Sequence, residues 1–190
     1  VVGHSCGGYT ALAVAGAQYD LAAYHTRCAQ IPAEDPLSFF CMVASKEAEM
    51  AARAGLNPMP NGLWPSFGDP RVKAIIPMAG DSYLFDQAGL SKITVPVMAM
   101  GGGADTGTPY EWGPKPAYDF VASEQKALGT FMGAEHMIDP VWDRARALDL
   151  IHHFSTAFLL DTLKGDQAAH AALLPDAVQF PGVEYTTTLN

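Results

Sequence analysis

Three apolar runs, each closed by glycine and then an acid or a histidine, constrain this chain most. Residues 72–78 (VKAIIPM) lead into AGD, residues 95–100 (VPVMAM) into GGGAD, and residues 127–132 (ALGTFM) into GAEH. Strands buried on both faces read as such continuous runs, which suits a parallel sheet. Helical patterns stand around them. Residues 8–19 (GYTALAVAGAQY) are small helix formers suited to close packing on a sheet, and residues 116–125 and 143–163 are predicted as further helices. The alternation predicts an α/β fold, a mostly parallel sheet flanked by helices, with polar residues gathered past the strand ends where such folds carry their sites. Residues 20–69 break the pattern. Helical stretches such as KEAEMAARA (46–54) alternate there with turn clusters such as NPMPNG (57–62), which predicts a helical cap inserted at about 20–70 of a single domain spanning 1–190. The tail from residue 164 carries Pro175 and Pro181 and reads as irregular.

Composition narrows the class of partner. With 49% apolar residues the chain can fill one core, which excludes disorder. A formal net charge of −9, with eleven Lys and Arg that form no cluster, argues against nucleic acid and anionic membrane surfaces. No apolar run reaches the roughly 18–20 residues of a membrane span. Three cysteines without CxxC spacing argue against a zinc cluster, and no other metal or cofactor is implied. Cys28 and Cys41 can bridge a short loop in an exported protein, leaving Cys6 over; three reduced thiols is the other reading.

The chemistry gathers first at VVGHSCGGYT, residues 1–10. Gly3-His4-Ser5-Cys6-Gly7 fits G-x-S-x-G, in which a tight strand-to-helix turn holds a strained serine with its hydroxyl raised. Glycines are expected on both sides of Ser5 because side chains there would collide with strand or helix. The start of a helix favours developing negative charge, so the Cys6 backbone N–H is an expected oxyanion donor. The same residues nearly spell a phosphate loop, but Tyr9 stands where lysine is required. The glycines at 101–103 lack dinucleotide-site spacing.

A serine nucleophile needs a base, and the base needs an orienting acid. Of six histidines, His136 alone follows a strand-like run; His4 lies inside the turn, His25 in the cap, His152 and His153 in a helix, and His170 in the tail. Two acids compete. Asp105 is preferred because its strand should neighbour the one that carries His136, and Asp81 is the alternative. Asp139 reads as a turn cap before Pro140.

These residues resemble the α/β-hydrolase superfamily. The likeness is to the bacterial branch of predicted dienelactone hydrolases, itself similar to platelet-activating-factor acetylhydrolases and cutinase-like polyester hydrolases. It is carried by GHSCGGYTALAVAG around Ser5, DPRVKAIIPMAG at 69–80, GGGADTGTPY at 101–110 and GAEH at 133–136. The resemblance implies Ser5 as nucleophile, Asp105 as acid, His136 as base and a small-molecule carboxylic ester as substrate. It leaves Asp81 as an alternative, since acetylhydrolase relatives often take the acid from that loop. Dienelactone hydrolases use a cysteine nucleophile, and the polyester enzymes carry a tryptophan after the earlier strand; this chain departs from both. Met78, Tyr83, Trp112, Met137 and Trp142 suggest an apolar pocket for a short- to medium-chain ester, although core packing accounts for each singly. Only Val1 and Val2 precede the elbow, so the chain is expected to be the C-terminal part of its fold, completed by N-terminal strands that bring the second oxyanion donor. Export to the periplasm or beyond is the expected localisation. A catalytically inactive binding module on the same fold, and an acyltransferase or peptidase with the same three residues, are the competing functions.

Overall fold

The computed structural model describes residues 1–139 and 144–190. Five strands form one sheet: β1 (Val2–His4), β2 (Ile76–Met78), β3 (Val97–Gly102), β4 (Lys126–Phe131) and β5 (Val183–Thr187), in the order β1-β2-β3-β4-β5. The first four are mutually parallel and β5 runs antiparallel to β4. The protein is thus an α/β fold with a mostly parallel sheet.

Alternate residues of the strands feed two cores. Ile76, Met98, Met100, Ala127 and Phe131 face one side, where Phe154 and Phe158 of α6 (Arg144–Lys164) cover them. Ile75, Val97, Ala99 and Leu128 face the other, against Ala11 and Leu12 of α1 (Cys6–Val14), and Leu90 at the end of α4 (Asp86–Leu90) joins them. Ala117 of α5 (Pro114–Asp119) completes that layer. Helices on both faces explain why the strand segments are apolar without alternation.

Residues 20–70 hold α2 (Leu21–Cys28), a 3₁₀ segment (Pro36–Lys46) and α3 (Glu47–Arg53). A disulfide joins Cys28 to Cys41 with an S–S distance of 2.04 Å, and Cys6 is free and exposed, so the cysteines are not three buried thiols. Leu21, Tyr24, Phe40, Ala51 and Trp64 pack with Tyr83 and Leu84, which follow β2. Arg27 pins the segment further: its guanidinium pairs with Asp86, donates to the Tyr83 carbonyl at 3.3 Å and lies 5.3 Å from the Trp112 ring centre.

Several boundaries differ from the sequence expectation. The helix predicted over 8–19 begins at Cys6, because Ser5 itself is its N-cap, and ends at Val14, followed by Gly16 at φ +110°. The helix predicted over 116–125 is the shorter α5, opened by Pro114 at its first turn. The tail is not irregular. Asp166 caps α7 (Gln167–Ala171) by accepting from the Ala168 and Ala169 N–H groups, and β5 pairs along β4 from Val183↔Phe131 to Thr187↔Ala127. Val183 and Tyr185 turn toward the core while Glu184 and Thr186 stay exposed, the alternation of a strand covered on one face. Residue 143, predicted to begin the long helix, lies outside the described residues.

Candidate active site

The site is assembled from the ends of β1, β3 and β4. At the end of β1 the chain turns sharply into α1, and Ser5 adopts φ +56°, ψ −121°, a conformation costly for a residue with a side chain. Two hydrogen bonds hold the turn: the Ser5 N–H donates to the Met78 carbonyl at 2.9 Å, and the Tyr9 N–H to the Ser5 carbonyl at 3.1 Å. Of the two glycines expected to be required, only Gly3 is crowded. A Cβ there would stand 2.2 Å from the Gly7 carbonyl oxygen, whereas one on Gly7 would meet nothing within 4 Å. The close approach of the Gly7 backbone requires glycine at position 3, while position 7 itself has room for a side chain. Cys6 is the first residue of α1, where an N–H has no intrahelical acceptor, so its donor is free for a ligand oxygen.

Asp105 stands three residues past β3 and His136 five past β4. These strands pair in register from Val97↔Lys126 to Gly102↔Phe131, so both loops leave the same end of the sheet side by side. The Gly103 N–H donates to the Phe131 carbonyl and the Ala104 N–H to the Ala134 carbonyl, both at 2.9 Å, fastening the two loops together.

Ser5, His136 and Asp105 form a continuous chain of hydrogen bonds. Ser5 Oγ lies 2.9 Å from His136 Nε2, and His136 Nδ1 lies 2.9 Å from Asp105 Oδ2. Asp105 Oδ1 is occupied separately, accepting from the Gly107 N–H at 2.7 Å and the Thr108 N–H at 2.8 Å. A carboxylate accepts only, so the imidazole carries its hydrogen on Nδ1 and presents a bare Nε2 to the serine hydroxyl. The Asp105 side chain is 1% exposed and that of His136 32%, which keeps the carboxylate from water while the imidazole stays reachable. This arrangement can draw the proton from Ser5 Oγ and stabilise the imidazolium that results.

Asp81 is not brought to His136. It follows Gly80, whose backbone abuts Gly8 of α1, and its electrostatic neighbours are Tyr9 and Tyr83. Its Oδ1 is buried without a hydrogen-bond partner among the described residues, and burial pushes its carboxyl up to about 6. Burial likewise raises the phenols of Tyr9 and Tyr83, and the Tyr9 hydroxyl donates to that of Tyr19 at 2.6 Å.

The residues suggested for an apolar pocket do not form one group. Tyr83 and Trp112 pack around Phe40, with ring centres 4.9 and 5.8 Å from it, and Met78 lies against the core beneath α6. Met137 is exposed, and Trp142 lies outside the described residues. His4, by contrast, meets the site: its Nε2 lies 2.7 Å from the His136 carbonyl oxygen. Spacing gives no hint of this contact, because the acceptor is a backbone atom 132 residues away.

Among the described residues no group of three His, Cys, Asp or Glu side chains could hold a metal ion, and no helix is long and apolar enough to cross a membrane. No known family model matches the chain, and a search of the curated proteins finds no relative of it.

Proposed function

We propose that the protein is a serine hydrolase of the α/β-hydrolase type that cleaves small carboxylic esters through an acyl-enzyme on Ser5. The observation that carries this reading is the pair of 2.9 Å contacts linking Ser5 Oγ, His136 and Asp105. The order serine, acid, histidine past the parallel strands β1, β3 and β4 and the strained serine between strand and helix support the fold type. The Cys28–Cys41 bridge fits an oxidising compartment.

In the mechanism, Ser5 Oγ attacks the ester carbonyl carbon as His136 Nε2 takes its proton. Asp105 holds the imidazole in the tautomer that makes this possible. The carbonyl oxygen becomes an oxyanion that the Cys6 N–H, at the positive end of α1, stabilises. As the tetrahedral intermediate collapses, the bond to the alcohol oxygen breaks and His136 gives that oxygen the proton, releasing the alcohol. Water then adds to the acyl-enzyme, losing a proton to His136. Collapse returns that proton to Ser5 Oγ and frees the carboxylic acid.

The test is hydrolysis of nitrophenyl esters of increasing acyl length, with fluorophosphonate labelling in parallel. Wild-type protein turns over the shorter esters and is labelled on Ser5; Ser5→Ala and His136→Ala lose at least about a thousandfold in kcat. Full activity in Ser5→Ala overturns the reading. Absence of both turnover and labelling in the wild type points instead to an inactive binding module.

A further inference from the structure

We infer that His4, the first variable residue of the G-x-S-x-G turn, is a positioning residue that holds the base by its backbone; the inference rests on the esterase reading above. His4 ends β1, and its ring lies beside that of His136 with centres 5.1 Å apart and planes at 56°. Its Nε2 stands 2.7 Å from the His136 carbonyl oxygen. A carbonyl only accepts, so Nε2 carries the hydrogen and donates it.

The segment His4-Ser5 therefore holds His136 at two points. Ser5 meets the tip of the imidazole, and His4 meets the main chain from which the imidazole hangs. The loop needs such a hold. It leaves β4 through Gly133 at φ +72° and passes Ile138 at φ +53°, where a β-branched residue is strained. Its start is fastened to the β3 loop at the Ala134 carbonyl, and past His136 the buried Ile138 donates its N–H to the Glu135 carbonyl at 2.9 Å. Between those points the described bond on the His136 backbone is the one from His4. Because His4 and Ser5 are adjacent, any shift of the elbow moves nucleophile and base together, which preserves the Oγ–Nε2 separation.

Three substitutions separate the hydrogen bond from the ring. His4→Phe keeps the ring and loses the donor. His4→Asn keeps a donor too short to reach. His4→Gln can set its amide N–H where Nε2 stands. Nitrophenyl ester kinetics, fluorophosphonate labelling rates and thermal melting are measured for each beside Ser5→Ala. The expected result is that Phe and Asn lower kcat and the labelling rate by about tenfold to a hundredfold with KM and melting temperature unchanged, since small misplacements of a base cost that much. Gln restores both rates close to wild type. Wild-type rates in Phe and Asn, with Ser5→Ala dead, overturn the inference and leave the esterase reading standing. Equal losses in all three accompanied by a lower melting temperature also overturn it, since His4 then supports the fold alone. Activity in Ser5→Ala removes the esterase reading, and this inference with it.

Discussion

Asp105 divides its two oxygens between His136 and its own loop: Oδ2 lies 2.9 Å from Nδ1, while Oδ1 accepts the Gly107 and Thr108 N–H groups at 2.7 and 2.8 Å. The loop bonds fix the carboxylate, and the carboxylate fixes the tautomer of His136. Asp105→Asn keeps the shape but offers an N–H where an acceptor is needed, which reverses the tautomer. A loss of about 10³- to 10⁴-fold in kcat at neutral pH, with KM little changed, is the expected result in steady-state ester kinetics. A loss below tenfold would contradict this role.

Asp81→Asn separates the two acids by a different readout. The Asp81 carboxyl is raised from 3.8 to about 6 by burial, so the folded state holds its proton more tightly than the unfolded chain does. Its contribution to stability is therefore intact below about pH 4 and is lost as pH rises through about 6. Asn, always neutral, escapes that loss. Urea denaturation is expected to show Asp81→Asn more stable than wild type by about 2 kcal/mol at pH 7.5 and no more stable at pH 4, with ester turnover retained. Loss of turnover on the scale of Asp105→Asn would return the acid's role to Asp81.

Gly107 lies against the His136 ring. A Cβ at this position would stand 3.2 Å from His136 Cγ and 3.3 Å from Nδ1, closer than carbon atoms settle, so Gly107→Ala must push the ring or the loop by a few tenths of an ångström. The residue is exposed, and the fold has little to lose. Gly107→Ala is expected to lower kcat about tenfold with an unchanged melting curve. Wild-type turnover would mean that the ring accommodates the methyl group.

The bridge between Cys28 and Cys41 closes a loop of 13 residues across α2 and the 3₁₀ segment. Removing it in the Cys28→Ala, Cys41→Ala double variant is expected to destabilise the protein by about 2–3 kcal/mol in urea unfolding, while ester hydrolysis at 25 °C persists. Thiol titration of unreduced native protein should find one reactive group, Cys6. Three would show that the bridge does not form.

The sequence was legible where local pattern and tertiary need coincide. The apolar runs locate β2, β3 and β4 to within a few residues, because strands covered on both faces have to be apolar throughout. Asp105 ranks above Asp81 on the adjacency of two strands, and β3 does pair with β4 along its whole length. What escaped depends on partners far along the chain. β5 is half polar and is held by its ladder to β4 rather than by its own hydrophobicity. His4 looks like filler in a motif until the carbonyl it binds comes into view. A collision is expected on both sides of Ser5, and the crowding that the fold imposes falls on Gly3 alone.

The three side chains have a consequence for folding as well as for chemistry. Ser5 and His136 are 131 residues apart, and β1 pairs in parallel with β2, from Val2↔Ile76 to His4↔Met78, across more than seventy residues of chain. Pairings this distant in sequence close late, after the loops between them have been gathered in. On the proposed reading, a partly folded chain therefore has no activated serine. Covalent labelling of Ser5, followed during refolding, would count completed sheets molecule by molecule, making the reactive centre a clock for its own scaffold.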